Sequence, residues 1–305
     1  MDIFESKNIS PMLLEHISKP FNSEDYIFEL KLDGIRCLAY LDERQTILKN
    51  KRNKDVTDVY PELKQIHKQI KKRCILDGEL VSLNKDGSPN FFALQKRSLL
   101  TDKFRIELEM EKNKVNFVAY DILYLDDKQT TNLTLTERKK MLENNIKENE
   151  LLSISRIVEN EGIKLFELTQ QLSLEGIVAK KKNSTYQIGK RSKDWIKIKN
   201  LIDEDFYICG LMFDEDNQIK DLVLTTKIND KYINRGKVYL NISKDEQNFI
   251  LKFALKHTKN KPLFDIYSDK NILWIEPKLV CTVQYMMLTK DGNMRQPVFK
   301  GLRTD

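Results

Sequence analysis

A two-domain α+β chain, with a small β-barrel as its second domain, is predicted by three features of the sequence. They are the length, the mixture of strand-like and helix-like segments over residues 1–200, and a run of short strands with one helix over residues 201–305. At 305 residues the chain can fill two modest cores, and no internal repeat or low-complexity tract competes with that division. The polar stretch 200–205 reads as the linker between them.

In chain order, strands are expected at 27–32, 74–81, 116–123, 176–181 and 195–198. Alternation puts Tyr26, Phe28, Leu30 and Leu32 on one face of the first strand and Ile27, Glu29 and Lys31 on the other. Helical spacing predicts helices at 61–71, where Leu63, Ile66 and Ile70 share a stripe, at 136–148 with Thr136 as cap, and at 163–172. Beyond the linker, 206–212, 222–226, 237–240 and 280–288 read as short strands. One helix at 244–257 opens with the capping-box pattern Ser243 to Glu246. Short strands around a single helix suggest the small barrel.

Composition narrows the function classes. Charged residues make up 32% and hydrophobic residues 40%, which describes a globular chain and not a disordered one. Fifty-two Lys and Arg against 46 Asp and Glu give +6, which permits a polyanionic partner without requiring one. Cys37, Cys74, Cys209 and Cys281 show no paired spacing, which argues against a zinc ribbon, a redox pair or a disulfide framework, and a reducing compartment is expected. The N-terminus lacks a signal pattern and no run approaches membrane-spanning length, so a soluble, cytoplasmic protein is expected; a monomer is expected as well. His16, His67 and His257 lie far apart and read as surface or structural residues, which removes support from any histidine-based hydrolase.

Lys31, in Lys31-Leu32-Asp33-Gly34, sits two residues from Glu29 on the same strand face, which suggests a polar pocket. A lysine in such a place becomes a nucleophile when desolvation and neighbouring cations leave part of it as neutral amine. Alone, the pattern reads more simply as an edge-strand lysine reaching into water. Six further pieces follow it: Lys51-Arg52-Asn53, Leu76-Asp77-Gly78-Glu79, Tyr120-Asp121, Glu175-Gly176-Ile177-Val178-Ala179-Lys180, Asp194-Trp195-Ile196-Lys197-Ile198-Lys199, and Phe299-Lys300-Gly301-Leu302-Arg303-Thr304-Asp305. In this order and spacing the set resembles the ATP-dependent DNA ligases of the covalent nucleotidyltransferase superfamily. Trp274, Glu276-Pro277, Val280 and Arg295-Gln296-Pro297-Val298 are similar to the ligase module of bacterial non-homologous end-joining enzymes.

The resemblance implies an adenylation (nucleotidyltransferase) domain of antiparallel sheets with flanking helices over 1–200 and an OB-fold barrel over 201–305. It implies ATP and Mg²⁺ or Mn²⁺ as cofactors, nicked double-stranded DNA as substrate, and end-joining or polymerase proteins as partners. Lys31 is then the nucleophile that becomes AMP-lysine. Arg36 and Arg52 would serve AMP and the 5′-phosphate of the nick, and Arg191, six residues before Lys197, another phosphate; their forked, permanently charged donors suit phosphate oxygens. Lys197 and Lys199 share one strand face opposite Ile196 and Ile198 and would hold the α-phosphate. Glu79 is expected at the ribose hydroxyls, Glu175 at the divalent metal, Glu29 near the adenine edge and Tyr120 stacked on adenine. Tyrosine there is a mild departure from the family's common phenylalanine. Arg303, with Lys300, is expected at the leaving pyrophosphate once the barrel closes. The segment Phe91 to Arg97 also resembles a family segment and receives no catalytic role.

Two other classes stand beside this reading. RNA ligases and mRNA capping enzymes share the K-x-D-G lysine, but the Asp194-to-Lys199 and Phe299-to-Asp305 segments favour a DNA ligase. A nucleic-acid-binding module without chemistry would use the barrel and basic strands alone. Only 30 residues precede Lys31, which is expected to leave no room for a nicotinamide-reading domain, so ATP is the expected donor.

Overall fold

The computed structural model describes residues 2–17, 19–84, 87–265, 271–289 and 291–303. The chain divides into two compact units, Met1–Asn200 and Leu201–Asp305.

The first unit is built on two sheets. One runs in the order Leu13–Ile17, Arg191–Lys199, Gly176–Lys181, Tyr26–Leu30, Ile157–Glu159. Its pairings are antiparallel except for the first, which is parallel. The other runs Thr46–Asn50, Ile35–Leu41, Cys74–Ser82, Val115–Leu125, Lys128–Gln129, with Leu152–Ile154 paired in parallel to Val115–Leu125. Alternation explains how they stack. Ile27 of the first sheet shares a buried cluster with Leu38, Tyr40, Ile75 and Leu123 of the second, so these two faces meet. The opposite side of the first sheet, with Phe28, Ile177 and Ile198, is covered by Leu165 and Phe166 of helix Gly162–Gln171. The opposite side of the second sheet carries Ala39, Leu76 and Phe117 under Leu63, Ile66, Leu94 and Leu142. A sheet buried on both faces has few polar positions to spare, so each buried carboxylate on it demands a partner. Asp121, on Val115–Leu125, takes Nε and Nη2 of Arg138 at 2.8 and 2.9 Å, and neither side chain reaches solvent.

The second unit is an antiparallel sheet in the order Lys231–Tyr239, Ile219–Ile228, Ile202–Phe213, Ile272–Tyr285, Val298–Leu302. It curls until the approach to its last strand returns to its first: Met294 N donates to Arg235 O at 3.1 Å and Asn234 Nδ2 to Asn293 Oδ1 at 3.2 Å. Helix Lys244–Lys256 buries Ile250 and Ala254 against this sheet's core. The α+β class with a C-terminal sheet domain agrees with the sequence reading.

Several elements differ from expectation, each for a physical reason. The segment Pro61–Gln69 is a 3₁₀ helix, whose three-residue turn brings Leu63 and Ile66 to one side as well as an α-helix would. The helix expected at 136–148 is Leu135–Asn145 and is capped by Thr134, which forms a reciprocal box with Glu137. Thr136 instead donates to the Lys182 carbonyl at 3.2 Å. The polar stretch 200–205 is no loop: Ile202–Phe213 already pairs there, Ile202 with Tyr285 and Glu204 with Val283, its polar side chains exposed. Pairing extends its partner back to Ile272, eight residues before the predicted start at 280. Helices Phe91–Ser98 and Lys103–Lys112, capped by Asn90 and Asp102, were not anticipated, nor were strands Leu13–Ile17, Ile35–Leu41 and Thr46–Asn50.

The Asp121–Arg138 pair yields a stability prediction. Arg138→Ala strands a fully buried carboxylate and should destabilise the first unit by about 3–5 kcal/mol in urea denaturation, whereas Lys164→Ala, which removes an exposed pair with Glu161, should cost less than about 1 kcal/mol.

Candidate active site

A cleft of about 340 Å³ opens in the first unit, lined from one sheet by Leu14, Glu29, Lys180, Trp195, Lys197 and Lys199 and from the other by Arg36, Glu79 and Tyr120. Lys31 also lines it, one residue past Tyr26–Leu30, and its backbone N–H still donates to Gly176 O at 2.9 Å. The turn after it requires glycine, because a Cβ on Gly34 would lie 2.2 Å from Leu80 O. Gly176 is needed for the same reason: at φ +134 its Cβ would sit 2.1 Å from Ile198 O. These two glycines let three strands close on one point.

At that point Lys31 Nζ donates to Glu175 Oε2 at 2.7 Å, and Lys199 Nζ stands 3.6 Å from Glu175 Oε1. Arg191 and Lys197 line the same cleft. The ammonium of Lys197 is depressed from its ordinary value by burial and by the neighbouring cations Lys199, Arg191 and Lys31. Two ammonium groups on one carboxylate, with Lys197 and Arg191 in the same cleft, leave an excess of positive charge there, which is what an anion site needs. Glu79 stands against the Gly34 turn, and burial pushes its carboxyl up to about 8, against the pull of Lys31 and Arg36.

Deeper in the cleft Glu29 is buried, with Lys139 Nζ 2.6 Å and Lys180 Nζ 3.0 Å from its Oε1. Burial would raise its pKa, but the two ammonium groups hold it below the usual carboxylate range. Lys180 is lowered to about 8, mainly by burial, and lies over the rings of Tyr120 and Trp195 at 4.4 and 4.3 Å from their centroids.

The structure thus brings Glu29, Lys31, Arg36, Glu79, Tyr120, Arg191, Lys197 and Lys199 around one cleft, with Glu175 bonded to Lys31. Arg36 lines the cleft with its guanidinium already paired, Arg52 stands outside the lining, and Arg303 lies on the second unit, as expected of it. Arg36 is paired at the cleft wall: its Nε and Nη2 donate to Asp77 at 3.0 and 2.6 Å and its Nη1 to Met12 O at 2.6 Å, because the wholly buried Asp77 needs a counter-ion. Arg52 is exposed on the turn after Thr46–Asn50, and Lys51 lines the cleft in its stead. Arg303 belongs to the second unit, where its Nε donates to Asp205 at 3.0 Å; Thr304 and Asp305, which end that motif, lie outside the described residues. Asp77, Lys180 and Trp195 lie within the sequence motifs, whose pattern assigns them no role. Tyr186, whose hydroxyl donates to Asp77 at 2.7 Å, and Lys139 carry no motif and were missed.

Among the described residues no group of three or more His, Cys, Asp or Glu is gathered for a metal. The donor set fits a hard divalent ion that takes one or two carboxylates and completes its shell from nucleotide phosphates and water, as Mg²⁺ does. No helix among the described residues is long and apolar enough to cross a membrane.

Comparison with known proteins agrees with this geometry. The ATP dependent DNA ligase domain matches residues 11–199, and the ATP dependent DNA ligase C terminal region matches residues 215–305. The chain is 30% identical to the SPbeta prophage-derived DNA ligase-like protein LigB of Bacillus subtilis, over 97% of this chain and 99% of that protein. It is 29% identical to the multifunctional non-homologous end joining DNA repair protein LigD of Mycobacterium tuberculosis, covering 99% of this chain but 39% of the relative. The structure of mycobacterial DNA ligase D complexed with ATP and MES superposes with a TM-score of 0.59 at 26% identity, over 98% of this chain and 96% of that one. The chain belongs to the ATP-dependent DNA ligase family and is an enzyme of that class, similar to the bacterial end-joining ligases.

Glu79 gives the nucleotide-free protein a pH signature. A carboxyl raised in the fold is protonated there between about pH 4.5 and 8 while the unfolded chain has lost its proton, so stability falls as pH rises through that window. Glu79→Gln removes the effect. Its stability should match wild type near pH 4 and exceed it by on the order of 2 kcal/mol at pH 9, an increment discounted for the cleft's access to water, as read by urea denaturation across that range.

Proposed function

We propose that this chain seals 5′-phosphate/3′-hydroxyl nicks in double-stranded DNA through a lysyl-AMP and then a DNA-adenylate, with Lys31 as the nucleophile. The observation that carries the reading is an amine bonded to a carboxylate, at 2.7 Å, inside a cluster of phosphate-binding cations. In the first step Nζ of Lys31 must shed a proton and attack the α-phosphorus of ATP; an N–P bond forms and the P–O bond to pyrophosphate breaks. Glu175 Oε2 is the group within reach of that proton. Lys197, Lys199 and Arg191 offset charge on the phosphates and hold the phosphorus near the amine. AMP then moves to the 5′-phosphate of the nick, and the 3′-hydroxyl displaces it.

Glu29 is proposed at the adenine amino edge, Tyr120 beside the base, and Glu79 at the ribose. Glu175, with phosphate oxygens, would hold Mg²⁺ or Mn²⁺, which when bound neutralises phosphate charge. Arg52 is proposed at the nick phosphate, to which an exposed side chain on a turn has access, and Arg303 in the first step through the leaving pyrophosphate. Because the chain covers 39% of LigD, a role in end joining, and with it polymerase or end-binding partners, is a proposal that rests on the relative's printed function.

Lys31→Arg tests the nucleophile, since a guanidinium keeps its proton at neutral pH. No radiolabelled protein-AMP should form from [α-³²P]ATP; labelling at a rate close to wild type would rule Lys31 out. Glu175→Ala should lower adenylylation by about 100-fold or more and raise the Mg²⁺ concentration needed for half-maximal rate, while Tyr120→Phe stays within about tenfold of wild type. Equal losses with the same metal dependence would remove the proposed roles.

A further inference from the structure

The buried triad of Lys139, Glu29 and Lys180 holds more than the sequence motifs account for. Lys139 lies on helix Leu135–Asn145, outside every motif and outside the cleft lining, and its ammonium is nevertheless buried against Glu29 Oε1 at 2.6 Å. The same oxygen is approached by Lys180 at 3.0 Å from strand Gly176–Lys181. The neighbouring Arg138 points elsewhere, to Asp121, so the helix delivers two adjacent cations to two buried carboxylates.

One carboxylate cannot neutralise two ammonium groups, and burying an unmatched charge is unfavourable. If Glu29 needed a counter-ion alone, Lys180 would suffice. The second lysine does something different: it stands at Oε1 from the helix side while Lys180 stands at it from the sheet side, and Ser155 bonds the same carboxylate, so charges and a hydroxyl on three segments restrain the group that lines the cleft. It also keeps Glu29 ionised, hence an acceptor only.

We propose that Lys139 is the positioning residue that aims Glu29 at the exocyclic amino group of the adenine base, and so sets the enzyme's preference for a 6-aminopurine nucleotide. The inference rests on the proposed placement of adenine beside Glu29. An amino N–H donated to a fixed, desolvated carboxylate is a hydrogen bond to a charged group, strong enough to discriminate by about 10-fold or more against a base that lacks it. The same carboxylate left to rotate loses much of that gain, because the lost freedom must be recovered on binding.

The test compares adenylylation of the full chain by ATP and by purine riboside 5′-triphosphate, which differs only in lacking the amino group. Wild type should prefer ATP by about 10-fold or more in kcat/KM. Glu29→Gln should remove most of that preference. Lys139→Met should reduce it at least about threefold, with the loss in KM for ATP and the maximal rate within about twofold of wild type; Lys139→Arg should restore it. Lys139→Met removes one unmatched buried charge and should fold, as its melting transition will report; Lys139→Gln takes its place if that transition is lost. A Lys139→Met enzyme with wild-type preference, beside a Glu29→Gln enzyme without it, overturns the inference and leaves the adenine placement standing. A wild type with no preference overturns both.

Discussion

Everything at the active site hangs on the register of one strand. Gly176–Lys181 is hydrogen-bonded on both sides, and its pairing sets Lys180 beside Ile27 and Trp195, Val178 beside Glu29 and Lys197, and Gly176 beside Lys199. These residues face the second sheet together because side chains alternate with a period of two. A slip of one residue in either pairing would turn its half of the array to the other face, toward the helix Gly162–Gln171. The apolar partners Ile177, Ala179, Phe28 and Ile198, packed under that helix, forbid the slip. The catalytic face is therefore fixed by the hydrophobic burial of the opposite face.

Charge is organised on two plans within the same unit. Asp77 with Arg36, Asp121 with Arg138 and Glu62 with Arg97 are one-to-one pairs, each carboxylate bonded to a guanidinium and nearly sealed from water. Such pairs tie segments together. At the cleft the ratio changes. Glu175 faces Lys31 and Lys199, with Lys197 and Arg191 nearby, and Glu29 faces Lys139 and Lys180. Burial and mutual repulsion depress Lys180 and Lys197, which is the state expected of cations waiting for an anion or an electron-rich base.

Legibility followed the range of the interaction. Strand Gly176–Lys181, helix Lys244–Lys256 and its capping box were read with their bounds nearly intact, since periodicity and caps are local. Strands Ile35–Leu41 and Thr46–Asn50 were missed because their edges are defined by the strand alongside, and 200–205 passed as a linker because a paired strand with polar outward residues looks like a loop in one dimension. The cap at Thr134 is equally local, but Thr136, two residues on, offers the same kind of side chain.

The sequence by itself determined the class of chemistry: a lysine before an Asp-Gly turn, ordered with Glu79, Glu175, Lys197 and Lys199, carries the resemblance to the ATP-dependent DNA ligases from which the proposed nucleophile, carboxylates and phosphate cations follow. It could not decide which charges would be consumed in holding the fold. Arg36 and Arg52 look alike as phosphate-binding arginines, yet one is paired with buried Asp77 at the cleft wall and the other stands in water, because that choice depends on what a distant strand buries beside each. Lys139 reads as an ordinary surface lysine until helix Leu135–Asn145 packs and its ammonium meets Glu29. Residue type and local spacing fix what a side chain can do; desolvation and the partner across the fold, which only tertiary structure supplies, decide what it does.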